Sequence, residues 1–306
     1  MKKYSRFPAL FGLIFAFSLI YSDPVFADTL GKTILNVVKS SNSLPGLFTG
    51  SSYLMGLVMG VFGVLKLREH VESPQQVPIW EPLKRFLAGG GFLALPMVVE
   101  AVENTVSKGL SKVGMSDKFT GTASGGGLDA MMVRLMSDVW LPMHNLIVAF
   151  SYLAGIILVI IGISRFLKSE QEGARGPTGI GTIMTFLVAG ALFSIDKMVM
   201  AISNSLFKSS TIKTAGTLVY TDGLDGTQAH IEAVISAVVA FVILLGWISI
   251  VRGFFIMRGV SEGNSQASMM AGMTHLLGGG LAVNIGPVVN AVQETLGITD
   301  YGITFG

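Results

Sequence analysis

Few side chains in this 306-residue chain are of types that do chemistry, and their spacing brings none together. The four histidines, His70, His144, His230 and His275, stand far apart, and none belongs to an HExxH array or neighbours a cysteine. A zinc site therefore has no pattern to rest on. The chain has no cysteine, hence no disulfide and no thiolate. Gly31-Lys32-Thr33 matches the end of a phosphate-binding loop, but that motif needs a glycine five residues earlier, where Phe26 stands. No Ser-His-Asp set or pair of carboxylates follows from the order of residues. Asp196-Lys197 reads as a local ion pair at the end of an apolar segment. His275, near the start of the last apolar segment, is the one ionisable group whose membrane placement would itself suggest a role. The expectation is a protein that is not an enzyme, with no catalytic residue, cofactor or metal.

The elements around these residues are apolar. Hydrophobic residues make up 51% of the chain and charged ones 13%, with a mean hydropathy of +0.64. A soluble domain carries about a quarter charged residues. Most of this chain must be solvated by lipid or by itself. A formal net charge of +2 does not make a nucleic-acid surface, so no direct nucleic-acid binding is expected. Lys2, Lys3 and Arg6, the apolar run Ala9 to Ile20, and Val25-Phe26-Ala27 read as a bacterial secretory signal cleaved after Ala27.

The rest of the chain repeats itself. Ser52 to Lys66 (SYLMGLVMGVFGVLK) aligns with Ser151 to Arg165 (SYLAGIILVIIGISR) at an offset of 99. Beyond the following loop the offset is 100, with Phe86 on Phe186, Gly90 on Gly190 and Asn104 on Asn204. Met184 to Leu192 then matches Met273 to Leu281 at an offset of 89. Each copy has a half-polar, helix-periodic lead-in, a strongly apolar segment able to cross about 30 Å of hydrocarbon, a short charged loop and a glycine-rich apolar segment. This predicts an all-α membrane protein of three tandem two-helix hairpins behind a signal peptide at 1–27. The units are 28–106, 107–208 and 209–306. Spans are expected near 46–66, 84–102, 144–164, 180–198, 233–251 and 270–293. The absence of period-two alternation argues against a transmembrane barrel.

The loops within hairpins carry Lys66, Arg68, Lys84, Arg85, Arg165, Lys168, Arg175, Arg252 and Arg258, against six acids. The other segments of the mature chain hold the same number of cations over more than twice the length, with twelve acids. The positive-inside rule places the cation-rich loops in the cytoplasm and the mature termini in the periplasm of a bacterial inner membrane.

One cassette recurs in the second helices: Gly89, Gly90 and Gly91, then Ala189, Gly190 and Ala191, then Gly278, Gly279 and Gly280. In lipid, small residues let helix backbones approach and gain van der Waals contact. The cassettes read as packing waists, with Gly56 and Gly60 a small-xxx-small partner on the first helix. The alternative is a helix break lining a pathway, since irregular backbone at membrane depth is tolerated only inside protein or along a water-filled cavity. Pro96 and Asn284 favour some irregularity.

A cleaved leader and helix–basic loop–helix units resemble conjugative pilins of type IV secretion systems. The segments FLAGGGFLALP (Phe86 to Pro96) and FLVAGALFSID (Phe186 to Asp196) bring the chain closer to small inner-membrane proteins of type IVB systems. These belong to the Dot/Icm apparatus and IncI-type conjugation machinery, in the IcmC/DotE and IcmD/DotP group. The resemblance spans roughly residues 45–295. It implies a structural, non-enzymatic part of an apparatus that transfers protein or DNA–protein substrates. Partners would be the lipid bilayer, other membrane proteins of that complex and, as a homo-oligomer, further copies of the chain. A channel or transporter for small solutes, built from the same hairpins, is the alternative expectation.

Overall fold

The computed structural model describes residues 29–107, 119, 127–208, 212, 214, 216–219, 227–298 and 302–305. The expected signal peptide lies outside them, as does most of both polar stretches between the units. The described chain is helical, apart from one antiparallel pair of two-residue strands, β1 (Thr217–Leu218) and β2 (Ile303–Thr304). In order, the α-helices are α1 (Leu30–Ser41), α2 (Leu44–Glu72), α3 (Trp80–Leu93), α4 (Leu95–Ser107) and α5 (Leu128–Ser164). Then come α6 (Ile180–Phe193), α7 (Ile195–Phe207), α8 (Gln228–Ser261), α9 (Met269–Val283) and α10 (Ile285–Thr295). Short 3-10 turns, Arg165–Leu167 and Glu170–Arg175, join α5 to α6.

Four helical stretches are long and apolar enough to cross a membrane, and six if each of two bent pairs is one span. This marks a multi-pass membrane protein. Three pairs of neighbours, α2 with α3, α5 with α6 and α8 with α9, make the closest helix packing. The centre of the bundle is dry: Val159, Leu192, Ile243, Trp247 and Ile250 are fully buried. The apolar stretch of α1–α2 is only 17% buried inside the protein, against 56% for α5 and α8, so α2 lies at the rim. Its exposed Leu54, Leu57, Val61 and Val64 suit contact with lipid.

Two expectations about segment boundaries change. In the second and third units the lead-ins are continuous with the strongly apolar segments, whereas in the first α1 ends at Ser41 and α2 begins at Leu44. α5 has 37 residues and α8 has 34, about 55 Å and 51 Å at 1.5 Å per residue, well beyond a hydrocarbon core. The second apolar segments, by contrast, are not single helices. α3, α6 and α9 stop after 14, 14 and 15 residues, at Ala94, Ser194 and Asn284, and a new helix begins at the next residue. The bend is 81° both between α3 and α4 and between α9 and α10. Pro96 and Pro287 explain these two bends. Proline supplies no N–H and clashes with the preceding turn, but it suits the first turn of a new helix. The helices after the breaks have an apolar face and a polar face, as in α4 with Val98, Val99 and Val102 against Glu100, Glu103 and Asn104. Such a helix suits a membrane surface rather than its interior.

The basic loops are also shorter than expected. Lys66 and Arg68 lie in α2, Lys84 and Arg85 in α3, and Arg252 and Arg258 in α8. No proline interrupts α8 after Val251, and the helix runs on until Gly263, whose φ of +74° ends it in the left-handed region.

Candidate functional site: glycine contacts between helices and the polar groups that close them

Within each helix pair, one small residue of the second helix rests on a glycine of the first. A methyl built at Gly89 would stand 3.1 Å from the carbonyl oxygen of Gly56. One at Gly155 would stand 3.2 Å from the carbonyl oxygen of Ala189, and one at Gly279 2.8 Å from that of Gly246. One helical double turn further, each first helix has another glycine under a large side chain: Gly63 under Phe86, Gly162 under Phe186, and Gly253 under Leu276. The Phe186 and Leu276 contacts are 90 residues apart. The third cassette therefore aligns one residue later than the 89-residue offset expected from sequence. Shared small and apolar residues had concealed the slip.

Between pairs, the helix after each break crosses the second helix of the following pair. α4 packs on α6, and α7 packs on α9. Gly190 receives Val106, whose Cγ2 lies 2.5 Å from where a Cβ would be, and the Val102 carbonyl at 2.7 Å. Gly280 receives Ile202 and Leu206. Gly91 faces Ile163 of α5 at 3.1 Å. Three expected packing residues do not take part. Gly60, Gly90 and Gly278 each have nothing among the described residues within 4 Å of a Cβ position. They point away from the facing helix, and only the backbone nitrogen of Gly60 approaches Gly89, 3.3 Å from the Cβ position of that residue.

Among the described residues a side chain caps only the third break. Asn284, buried in the third break, donates from Nδ2 to the Gly280 carbonyl at 2.8 Å and accepts from the Ser203 hydroxyl at 2.5 Å. This ties α7 to the α9–α10 break and gives the Gly280 carbonyl a second donor beside the Asn284 backbone N–H. Ser194 occupies the second break, buried, with its hydroxyl unpartnered among the described residues. Near it, His144 of α5 lies 3.1 Å from Asp196 through Nε2, and its ring stands edge-on to Trp247 with centroids 4.7 Å apart. Asp196 therefore reaches across to α5, beyond the local pair expected with Lys197. It sits in the first turn of α7, where a carboxylate suits the helix N-terminus.

The other histidines are also placed as connectors. His70 Nδ1 meets the Val77 carbonyl at 2.6 Å and closes the α2–α3 loop. His230 meets Asp129 at 2.5 Å, joining the protruding starts of α8 and α5. His275 meets Ser249: the serine hydroxyl donates to the His275 carbonyl at 3.0 Å and lies 3.1 Å from Nδ1. Among the described residues no three metal-ligating side chains come together.

Most of the expected basic cluster is paired. Lys66 meets Glu69, Arg68 meets Glu72 at 2.7 Å, Lys84 and Arg85 both meet Glu81, and Lys168 meets Glu172 at 3.0 Å. Arg252 is exposed on α8. Glu262 is the hub of the remainder. It pairs with Arg165 across 97 residues of chain and lies 2.6 Å from Arg258. The Arg258 Nε–H is not directed at that oxygen, so this contact is charge attraction without a formed hydrogen bond. Arg175 donates to the Glu262 carbonyl at 3.2 Å, and the Thr185 hydroxyl lies 3.3 Å from its carboxylate. Arg165 and Lys84 are buried, where exposed loop cations were expected. Arg165 is drawn in because its acid, Glu262, caps the end of α8 in the loop between α8 and α9 and packs against it.

Glu262 as a hub, Asn284 with Ser203, and His144 with Asp196 and Trp247 were not expected from the sequence. Gly155, Gly162, Gly246 and Gly253 could have been found, since each pair repeats the seven-residue spacing of Gly56 and Gly63. Comparison with protein-family models, characterised proteins and solved structures finds no match for this chain.

Proposed function

We propose that the chain is a structural, non-enzymatic component of a bacterial inner-membrane apparatus for conjugation or type IV secretion, moving protein or DNA–protein substrates. Its three helix pairs are tandem hairpins of one orientation, with basic ends toward the cytoplasm and the long lead-ins and broken ends toward the periplasm. The observation that carries this reading is the same small-residue contact at Gly56–Gly89, Gly155–Ala189 and Gly246–Gly279. It gives a series of alike hairpins linked by α4 and α7, a scaffold rather than a reaction centre. The resemblance of the cassette segments to the IcmC/DotE and IcmD/DotP group supplies the apparatus. The exposed Arg68 and Arg252 and the half-buried Lys168 offer the cytoplasmic contacts.

Deleting the chain from the bacterium that carries it should abolish transfer, and the intact chain should restore it. Purification under mild detergent should bring down inner-membrane secretion proteins. Unchanged transfer on deletion would contradict the reading.

A solute channel or transporter is the second reading. It is favoured by the broken helices and by the half-buried polar pair His144–Asp196 beside them. Solute flux in liposomes holding the pure chain, abolished by Asp196→Asn, would select it.

A further inference from the structure

The two internal seams leave unmatched halves at both ends of the series. Val102 and Val106 sit over Gly190, and Ile202 and Leu206 sit over Gly280. Ninety residues beyond Ile202 and Leu206, at the end of α10, stand Val292 and Leu296. They are 51% and 67% exposed. At the other end, Gly90 holds the place in α3 that Gly190 holds in α6 and Gly280 in α9. It is exposed, with nothing among the described residues within 4 Å of its Cβ position. One end thus presents two branched side chains with no glycine beneath them. The other presents the glycine with no side chains above it.

A second set of positions shows the same pattern. Gly91 packs on Ile163, whereas Leu281 and Val64, at the matching positions of the last and first hairpins, are both exposed. Ala88 and Val188 are buried, while Gly278 in the same register is exposed.

We propose that copies of the chain associate head to tail in the membrane, with Val292 and Leu296 of one copy seated over Gly90 of the next. The occupant is a second copy because the exposed α3 face has the shape that α4 and α7 fill within the chain. The exposed helix end of the chain carries the matching pair of side chains, four residues apart. Hairpins of one orientation can be extended by the same step without inverting in the bilayer, which a two-fold contact about an axis in the membrane plane would require. Such a heterologous step gives closed rings or open arrays. A closed ring contains hairpins in multiples of three. The inference rests on the tandem-hairpin reading and is independent of what the apparatus transports.

The chain has no native cysteine, so disulfide trapping reads the contact directly. One tagged copy carries Gly90→Cys and a differently tagged copy carries Val292→Cys. The two are expressed together, and the membranes are oxidised with copper phenanthroline. The expected product is an adduct holding both tags, lost when either cysteine is absent. The double variant in one chain should give a ladder of multimers. Val106→Cys with Gly190→Cys is the internal control and should close within one chain without gain of mass. Gly90→Leu should suppress the multimers while leaving insertion and the internal closure intact. Closure of the control with no 90–292 adduct would overturn the proposal, as would adducts only of 90 with 90 or 292 with 292. Failure of the control would remove the seam from which the proposal is built, and the tandem-hairpin reading with it.

Discussion

Gly279 of α9 and Gly246 of α8 rest on each other's backbones. A methyl on Gly279 would stand 2.8 Å from the Gly246 carbonyl oxygen, and one on Gly246 would stand 2.9 Å from the Gly279 carbonyl oxygen. Backbone lies on both sides, so neither position can yield by turning a side chain. Gly246→Leu and Gly279→Leu should still insert, because leucine suits lipid, but each should destabilise the helix pair by about 1–3 kcal/mol, the usual cost of overpacking. Gly278→Leu, one residue away on an exposed face, should leave the unfolding temperature in detergent unchanged. Equal loss in all three variants would mean that the contact is not what holds the pair.

The Glu262 hub should be the sensitive point at the basic end. Its side chain is 18% exposed and that of Arg165 only 5%. Glu262→Ala leaves two arginines close together without their acid. Breaking a buried ion pair from one side costs about 3–5 kcal/mol. Arg68→Ala removes an exposed pair and should cost little. Trypsin sensitivity of the detergent-solubilised protein distinguishes them, with rapid cleavage expected only for Glu262→Ala.

Asn284 fills both sides of the third break. Asn284→Ala removes the Oδ1 acceptor of the Ser203 hydroxyl and the side-chain donor to the Gly280 carbonyl in a buried site, two hydrogen bonds worth about 1 kcal/mol each. Hydrogen exchange should rise at the start of α10 and along α7 together, because the residue connects them. A rise confined to α10 would show that the Ser203 bond contributes nothing.

The Asp129–His230 contact gives a pH dependence. The hydrogen bond from His230 holds the Asp129 carboxyl below its ordinary value. A lowered carboxylate stabilises the fold above the unfolded pKa of about 3.9, and that stabilisation is lost as pH falls through the folded value. The melting temperature should therefore drop on acidification below about pH 4, and Asp129→Asn should remove part of that drop. The same acid profile in the variant would exclude the contact as its cause.

What the sequence made legible was the part governed by short-range pattern. Hydropathy marked the apolar segments, and small residues marked where helices meet, at Gly56, Gly89, Gly91, Gly190, Gly279 and Gly280. The breaks were half legible: Pro96 and Asn284 signalled irregularity, but Pro287 and Ser194 passed unnoticed. Which way a glycine faces depends on a register only tertiary packing fixes, so Gly60, Gly90 and Gly278 could not be separated from the others. Glu262 with Arg165 and His144 with Asp196 join residues 97 and 52 apart in the chain, and no local spacing encodes such pairs. The first spans of the three units were expected to end near 66, 164 and 251, at the first cation of each loop. In α8 the chain instead stays helical to Ser261, because stopping it takes the left-handed Gly263.

Three hairpins of one orientation would put every loop within a hairpin on one side of the membrane, and thiol labelling from outside the cell reads that out. In this cysteine-free chain, single cysteines at Gln75, Gly173 and Ser265 report the loops within hairpins, and cysteines at Gly125 and Gly223 report the segments between them. A membrane-impermeant maleimide applied to intact spheroplasts should modify Gly125→Cys and Gly223→Cys alone, with the other three labelled only after the membrane is opened. Labelling of Gly173→Cys in sealed spheroplasts, with Gln75→Cys and Ser265→Cys protected, would contradict the account, because the second hairpin would then be inverted between its neighbours.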